Sequence, residues 1–197
     1  MKLLSFDLSR DTPTPIASPN LADLHRLWDS HERFHLNMGK SYAATWPVIR
    51  VDIEDDRERP RGLTDFMSTV QFRIASARLV NVFREFQCEC EYLPLQVRYG
   101  SERLVGRYFA LNVQRILKSA VDRERSVIGF YDEEFGMAED IEDLVLKEGA
   151  IGDAPLAYLA EIERFAVSDE LADVLMNTGM VGLQTIDPEL FPTRIGE

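Results

Sequence analysis

The sequence predicts a single α+β domain, in which a mixed or antiparallel sheet packs against a few helices. The chain has 197 residues, which is enough for one sizeable core and short of two domains of ordinary size. Its composition, 45% apolar and 28% charged, is typical of folded globular proteins. Segments that alternate apolar and polar residues predict strands, and two serines in capping positions predict helix starts. We expect residues 1–62 to form an N-terminal segment with one helix, packed on a main domain of residues 63–197.

The N-terminal segment is predicted to contain an extended stretch, one helix and one strand. Three prolines between residues 10 and 20 favour the extended stretch. An apolar stripe over residues 21–38 then predicts a helix, which Gly39 ends. Residues 48–53 indicate a strand, and the polar residues 54–61 that follow indicate a surface loop.

The middle of the chain is predicted to combine several strands with one capped helix. Residues 70–74 alternate as a half-buried strand does, and Ser76 offers an N-cap to a helix that runs to about Gln87. Further strands are predicted over residues 93–97, 109–113 and 126–131. Pro94 lacks a backbone N–H, which indicates an edge strand or a bulge in the first of these.

The C-terminal part is predicted to repeat this arrangement. Phe165 and Val167 end a strand, Ser168 caps the next helix, and Gly179 ends that helix. Residues 182–186 then form another strand. Two units of strand, Ser-capped helix and strand therefore bracket the middle of the chain, and convergence on good capping chemistry explains them as well as duplication does.

The net charge of −12 is concentrated in the C-terminal part of the chain. Residues 126–197 carry three basic residues against 17 acidic ones, whereas the two signs nearly balance in residues 1–125. A surface of one sign repels nucleic acid and attracts proteins of the opposite sign. The sequence therefore predicts a basic protein as partner, with a solvated surface that favours solubility as the alternative.

The densest acidity lies in residues 132–143, where seven acids stand among a few apolar residues. Apolar residues between acids suit an interface better than a purely solvated segment, although a flexible acidic loop is the alternative. The predicted partner-binding residues are Asp132, Glu133, Glu134, Phe135, Glu139, Asp140, Glu142 and Asp143.

The sharpest local motif is an H-E-x-x-H match formed by residues 31–35. In this pattern His31 and His35 share a helix face and bind zinc, while Glu32 activates water. Against this, Arg33 stands where such helices face the interior, and no histidine follows His35. A structural role for the two histidines is favoured, and a zinc-dependent hydrolase is kept as the alternative function.

The two cysteines, Cys88 and Cys90, are too close along the chain to form a useful disulfide framework. They could join His31 and His35 in a structural zinc site, but their spacing matches zinc knuckles poorly and buried thiols are favoured. The sequence has no phosphate-binding glycine loop and no nucleophile elbow, so we predict no cofactor. No segment is apolar enough for a signal peptide or a membrane span, which predicts a cytoplasmic location.

Several short motifs follow one another from residue 63 onward in an order that resembles a known family. They are Asp65-Phe66, Ile74-Ala75-Ser76 with Leu79 and Phe83, Leu93-Pro94-Leu95, residues 108–113, residues 122–126, residues 165–171, and Thr178-Gly179. In these motifs the chain resembles the eleventh immunity-protein family of bacterial polymorphic toxin systems, over about two thirds of its length.

This resemblance implies an immunity protein that is not an enzyme. Such a protein binds and neutralises a cognate toxin by occlusion, and it has no catalytic residues to carry over to this sequence. A regulatory domain that binds some other basic protein shares every feature of the sequence and stays an alternative. The sequence leaves the oligomeric state open.

Overall fold

The computed structural model describes residues 1–7, 9, 11–25, 36–56, 60–134 and 136–191. Within these residues the chain forms thirteen strands and three short α-helices and is mostly β. In chain order the elements are β1 (Lys2–Phe6), β2 (Ile16–Pro19), α1 (Leu21–His25), β3 (Ile49–Glu54), β4 (Phe66–Ser68), β5 (Arg73–Ser76), α2 (Ala77–Glu85), β6 (Cys90–Tyr99), β7 (Glu102–Val113), β8 (Ile116–Leu117), β9 (Val127–Asp132), β10 (Met137–Asp143), β11 (Leu156–Leu159), β12 (Arg164–Val167), α3 (Asp169–Asn177) and β13 (Leu183–Ile186).

The strands form three sheets in the described part of the chain, where the sequence predicted one. The six-stranded sheet has the order β2-β3-β6-β7-β5-β4, and only β3 and β6 run parallel in it. The five-stranded sheet has the order β13-β1-β12-β11-β8, and only β8 and β11 run parallel in it. The third sheet is the antiparallel hairpin of β9 and β10.

The first strands of the chain belong to both large sheets. Strand β1 lies between β12 and β13, which come from the other end of the chain. Strands β2 and β3 extend the six-stranded sheet from β6. The predicted division between residues 62 and 63 stays a prediction.

Both predicted serine caps are confirmed. The Oγ atom of Ser76 accepts a hydrogen bond from the N–H of Leu79 at 3.2 Å, and the Oγ atom of Ser168 accepts one from Leu171 at the same distance. Each cap satisfies an N–H group that the first helical turn leaves without a partner. Gly179 has a φ angle of 64°, which fits its predicted place after α3.

The main core lies between the two large sheets and contains both capped helices. Leu79 and Phe83 of α2 and Leu171 and Leu175 of α3 are fully buried there. Removing one such side chain from water contributes about 1.5–3 kcal/mol to stability. This core therefore joins the two sheets into one body.

Two smaller cores cover the outer faces of the sheets. One packs residues such as Ile49, Val51 and Leu95 of the six-stranded sheet against α1 and Leu36. The other packs the far face of the five-stranded sheet against the β9–β10 hairpin and the loops around residues 144–162. The β9–β10 hairpin therefore packs against the five-stranded sheet and does not extend into solvent by itself.

The strand predicted over residues 70–74 is wrong in its first half. Val70 is 97% exposed in the turn between β4 and β5, and β5 begins only at Arg73. The turn forms because the Oγ1 atom of Thr69 accepts hydrogen bonds from the N–H groups of Gln71 and Phe72. The hydrogen bonds to the Thr69 hydroxyl stabilise a turn at residues where the alternation of apolar and polar side chains predicts a strand.

Two further predictions of secondary structure have different outcomes. Strand β6 is central, so of the two alternatives predicted for Pro94 the bulge is confirmed, by a register shift between Pro94 and Gln96, and the edge position does not occur. The helix predicted over residues 21–38 does not reach Met38, because Asn37 has a φ angle of 62° and lies in a bend. Residues 26–35 of that prediction lie outside the described residues.

Candidate functional site

The predicted acidic segment forms most of an antiparallel hairpin, which we call the acidic hairpin and define as residues 127–143. In its register Asp132 pairs with Met137, Tyr131 with Ala138, and Phe130 with Glu139. The acidic segment is therefore mainly a paired strand and the turn before it. The alternative prediction for this segment was a flexible loop. This hairpin brings the predicted acids of one stretch of chain onto a single element.

The inner side of the acidic hairpin is apolar and packs on the five-stranded sheet. Ala138 and Ile141 are buried, and Ile128 and Tyr131 pack against the same core. Ile141, one of the apolar residues between the predicted acids, consequently stabilises the hairpin and is not presented to a partner. Phe135 lies outside the described residues.

The outer side of the acidic hairpin combines exposed acids with exposed apolar side chains. Phe130 is 54% exposed and Val127 is 49% exposed. The acids that are exposed with them are Glu133, Glu134, Asp140, Glu142 and Asp143. Asp132 is half-buried, and Glu139 is placed in β10 by its backbone. The register sets Asp143 opposite Val127, so charge and apolar surface alternate across the two strands.

Phe130 and Val127 are not among the partner-binding residues predicted from the sequence. Both precede the acidic run and were predicted only as part of a strand. Alternation along β9 offers no signal for them, because Ile128 and Tyr131, which both pack against the core, are three residues apart and would lie on opposite faces of a regular strand.

A buried carboxylate fastens the acidic hairpin to the rest of the protein. Glu161 is 2% exposed, and one of its oxygens accepts a hydrogen bond of 2.9 Å from the N–H of Val121. The backbone carbonyl of Glu161 accepts a bond of 2.7 Å from the N–H of Ala138, which belongs to β10. The hydroxyl of Tyr131 lies 3.5 Å from the other carboxylate oxygen. The side chain of Glu161 therefore contacts β9 through Tyr131, and its backbone binds β10 through Ala138.

Arg123 adds a cationic contact at the edge of the same hairpin. Its guanidinium carbon lies 3.4 Å from the centre of the Tyr131 ring, and its Nη1 atom donates to Glu133 at 3.3 Å. Its Nε atom lies 3.9 Å from a carboxylate oxygen of Glu161. Of the predicted acids, Glu133 is therefore partly neutralised within the protein, and its neighbours further along the hairpin carry the exposed charge.

A close contact between two backbones shapes the middle of the hairpin. Asp140 has a φ angle of 51°, and a Cβ atom added at Gly129 would lie 2.7 Å from the Oδ2 atom of Asp140 and 3.0 Å from its carbonyl oxygen. A side chain at position 129 would push the Asp140 side chain aside and move its backbone by a few tenths of an ångström. The glycine therefore fixes where this acid sits on the outer surface.

The zinc predictions rest on His31 and His35, which lie outside the described residues and so stay predictions. Elsewhere in the described ranges, no group of three or more potential ligands is close enough to hold a metal ion. Burial raises the pKa of Cys88 to about 12, and burial also raises the pKa of Cys90. Both thiols are consequently protonated at neutral pH. Stoichiometric zinc in protein purified with excess metal would support the zinc predictions, and its absence would remove them.

The helices found in the described part of the chain are all too short and too polar to span a bilayer. A model of a protein family described as "Immunity protein family (Imm11)" matches residues 6–187. The match extends the resemblance found in the motifs after residue 63 to nearly the whole chain, so the two-thirds coverage taken from those motifs was too small. No curated protein matches the chain.

Proposed function

Because the chain belongs to the Imm11 immunity protein family, we propose that it binds its cognate bacterial toxin and neutralises it by occlusion, with the acidic hairpin as the contact surface. Membership of an immunity family implies a toxin as partner and a role without enzymatic chemistry. Occlusion needs only a surface that complements the toxin in shape and charge. In this proposal the two proteins meet in the cytoplasm.

The observation that supports this surface most strongly is the exposed Phe130 on a hairpin with several exposed carboxylates. An aromatic side chain that is half exposed in the free protein can be buried by a partner, and such anchors contribute much of the binding energy of protein interfaces. The surrounding carboxylates of Glu134, Asp140, Glu142 and Asp143 would form the polar rim. The anchoring at Glu161 holds this surface in place before binding, which reduces the entropy lost on association.

The charge of the hairpin defines the kind of toxin surface that fits it. A cluster of exposed carboxylates attracts Lys and Arg side chains and accelerates association at low salt. The net charge of −12 acts in the same direction over longer distances. We therefore expect the toxin to present a basic surface around an apolar pocket that receives Phe130. Basic active-site clefts of this kind are one surface that such a contact would block.

A charge-matched pair of variants tests the proposal. The test variant changes Glu133, Glu134, Glu139 and Asp140 to the corresponding amides. The control variant removes four charges elsewhere by changing Glu54, Glu85, Glu89 and Glu102 to Gln, and these four side chains are exposed on other elements. Both variants lose the same total charge, so long-range attraction weakens equally.

The readout is survival of cells that express the toxin encoded beside this protein. We expect the control variant to protect as the unchanged protein does, and the hairpin variant to lose protection although thermal unfolding shows that it is folded. Equal protection by the two variants would move the interface away from the hairpin. Failure of the unchanged protein to bind or protect against that toxin would reject the proposed function.

A further inference from the structure

A cleft of about 380 Å³ opens between the two large sheets, apart from the acidic hairpin. One wall comes from β1 and β12 of the five-stranded sheet, and the other from the β4–β5 turn of the six-stranded sheet. The volume is in the range of clefts that receive a small ligand or a few side chains of a partner. The residues that line this cleft play no part in the contact surface proposed above.

The floor of the cleft is a row of aromatic rings. Phe6 stacks on Phe66 with ring centres 4.8 Å apart, and Phe165 lies 6.3 Å from Phe66. Tyr158 continues the row at 5.6 Å from Phe165 in an edge arrangement. A ligand in this cleft must therefore carry an apolar part that can pack on the rings.

Two guanidinium groups stand at the edge of this floor. Arg73 lies over the Phe6 ring at 5.5 Å and donates a hydrogen bond of 2.6 Å to the Oγ atom of Ser68. Arg164 lies over the Phe191 ring at 5.4 Å. In the described ranges no carboxylate comes within 4.0 Å of either guanidinium group, so two cations share one cleft with no direct ion pair.

The proximity of the two guanidinium groups affects the pKa of Arg73. Burial lowers the pKa of its guanidinium group, and the positive charge of Arg164 lowers it further. Glu163 also lines the cleft, and its charge acts on the pKa of Arg73 in the opposite direction without reaching ion-pair distance. An additional anion between the two guanidinium groups would relieve this repulsion.

A buried acceptor without a hydrogen-bond donor lies in the same cleft. The Oε1 atom of Gln71, which also lines the cleft, is buried and has no hydrogen-bond partner. A buried acceptor without a donor destabilises a protein by about 1–3 kcal/mol, so such atoms call for an explanation. Chloride and sulfate cannot donate to it, whereas the backbone N–H of a peptide can.

We propose that this cleft receives an acidic side chain of the toxin, whose carboxylate binds between Arg73 and Arg164 while a backbone N–H of the same segment donates to Gln71. The proposal rests on the proposed function and adds a second contact of opposite charge. Guanidinium groups match carboxylates in geometry and bind them through paired hydrogen bonds. The methylene groups of an Asp or Glu side chain would pack on the aromatic floor.

Two contacts of opposite sign would also give the complex a defined orientation. The acidic hairpin selects a basic patch, and the cleft selects an acid at a fixed distance from that patch. A partner with only one of the two features would bind more weakly, which is how charge patterns discriminate between related proteins. The cleft would therefore distinguish the cognate toxin from other basic proteins.

The first test measures the affinity for the toxin encoded beside this protein. The test variant is Arg73→Gln with Arg164→Gln, and the control is Arg107→Gln, whose guanidinium group is exposed and contacts only Glu102 at 3.9 Å among the described residues. We expect the double variant to bind at least about tenfold more weakly, as for loss of a charge-assisted pair. The single variant Arg164→Gln, which keeps the Arg73 stacking on Phe6, should show part of the same loss if the double variant proves unstable. Unchanged affinity in folded variants would overturn the proposal.

The second test needs no toxin. The full chain is titrated with the blocked tripeptide Ala-Glu-Ala, and with Ala-Gln-Ala as control, while the arginine side-chain N–H signals are followed by NMR. We expect the glutamate peptide alone to shift the signals of Arg73 and Arg164. If the unchanged protein binds no toxin, the proposed function fails, and this titration still decides whether the cleft binds a carboxylate. Shifts caused equally by both peptides, or by neither, would count against the cleft.

Discussion

The hydroxyl of Ser76 donates a hydrogen bond of 2.5 Å to the buried carboxylate of Asp65. The same hydroxyl accepts from the N–H of Leu79 and so caps α2. The second oxygen of Asp65 accepts a bond of 2.9 Å from the N–H of Val181, in the segment after α3. One carboxylate thus connects the start of the first capped helix to the end of the second.

Replacing Asp65 should therefore destabilise the whole fold. We expect Asp65→Ala to lower the free energy of unfolding by about 2–4 kcal/mol, because it leaves the Ser76 hydroxyl and the Val181 N–H without their acceptor. Urea unfolding measures the change. The control is Asp52→Ala, which removes an exposed ion pair with Arg98 and should cost less than about 1 kcal/mol. Similar costs for the two variants would contradict the linking role of Asp65.

The two serine caps should differ in strength although their local geometry is the same. Ser168→Ala removes only a cap and should cost about 1 kcal/mol. Ser76→Ala removes a cap and also the donor to Asp65, so its cost should be clearly larger. Chemical denaturation of the two single variants gives the comparison. An equal loss of unfolding free energy in the two variants would show that the Ser76–Asp65 hydrogen bond makes no net contribution to stability.

The caps could be predicted from sequence because the information is local. A serine at the end of an apolar strand, followed by an apolar stripe at helical spacing, identifies Ser76 and Ser168 without knowledge of the fold. The link from Asp65 to Val181 joins residues far apart in the chain and appears in no local pattern. The same limit applies to β1, whose pairing with β12 and β13 depends on strands near the other end of the chain.

The candidate site could be predicted only in part, because it also depends on pairing that no local pattern shows. The acidic run from Asp132 to Asp143 is visible as composition, but its pairing with β9 is not, and Phe130 gains its place on the outer side only through that pairing. The cleft shows the limit most clearly. Arg73 and Arg164 lie on different sheets, and no sequence pattern indicates that their guanidinium groups share a cleft.

Alkaline pH should destabilise the protein through its buried thiols. Burial raises the pKa of Cys88 from 9.0 to about 12, and burial raises that of Cys90 as well. Because the folded-state pKa lies above the unfolded one, the stabilisation is complete below about pH 9 and is lost as the pH rises towards the folded-state value. The free energy of unfolding should therefore fall by up to about 1.4 kcal/mol per pH unit for each thiol above pH 9.

The cysteine variants isolate this effect. Burial also raises the pKa of Tyr108 and Tyr158 to about 12, but a tyrosine in the unfolded chain titrates near 10.0, so its contribution begins at higher pH. Changing Cys88 and Cys90 to Ala should make the free energy of unfolding nearly constant between about pH 8 and pH 9.5. Urea unfolding across this range measures it. The same decline in the variant as in the unchanged protein would assign the effect to other groups.

The exposed apolar residues and the acids of the hairpin should affect toxin binding in different ways. Phe130→Ser removes an anchor that is buried only in the complex, so it should raise the dissociation rate by about tenfold or more and leave the association rate nearly unchanged. The amide variant of Glu133, Glu134, Glu139 and Asp140 should instead lower the association rate and weaken its dependence on salt.

Surface plasmon resonance at several salt concentrations separates the two rates. Val105→Ser is the matched control for Val127→Ser, because Val105 is also exposed but lies on the six-stranded sheet. We expect faster dissociation only for the change at Val127, since burying an apolar side chain in an interface slows the separation of the partners. Dissociation of the Phe130→Ser and Val127→Ser variants from the toxin at the same rate as the unchanged protein would contradict this expectation. That result would mean that the outer side of the hairpin attracts the toxin without contacting it, and that the occluding contact lies elsewhere on the protein.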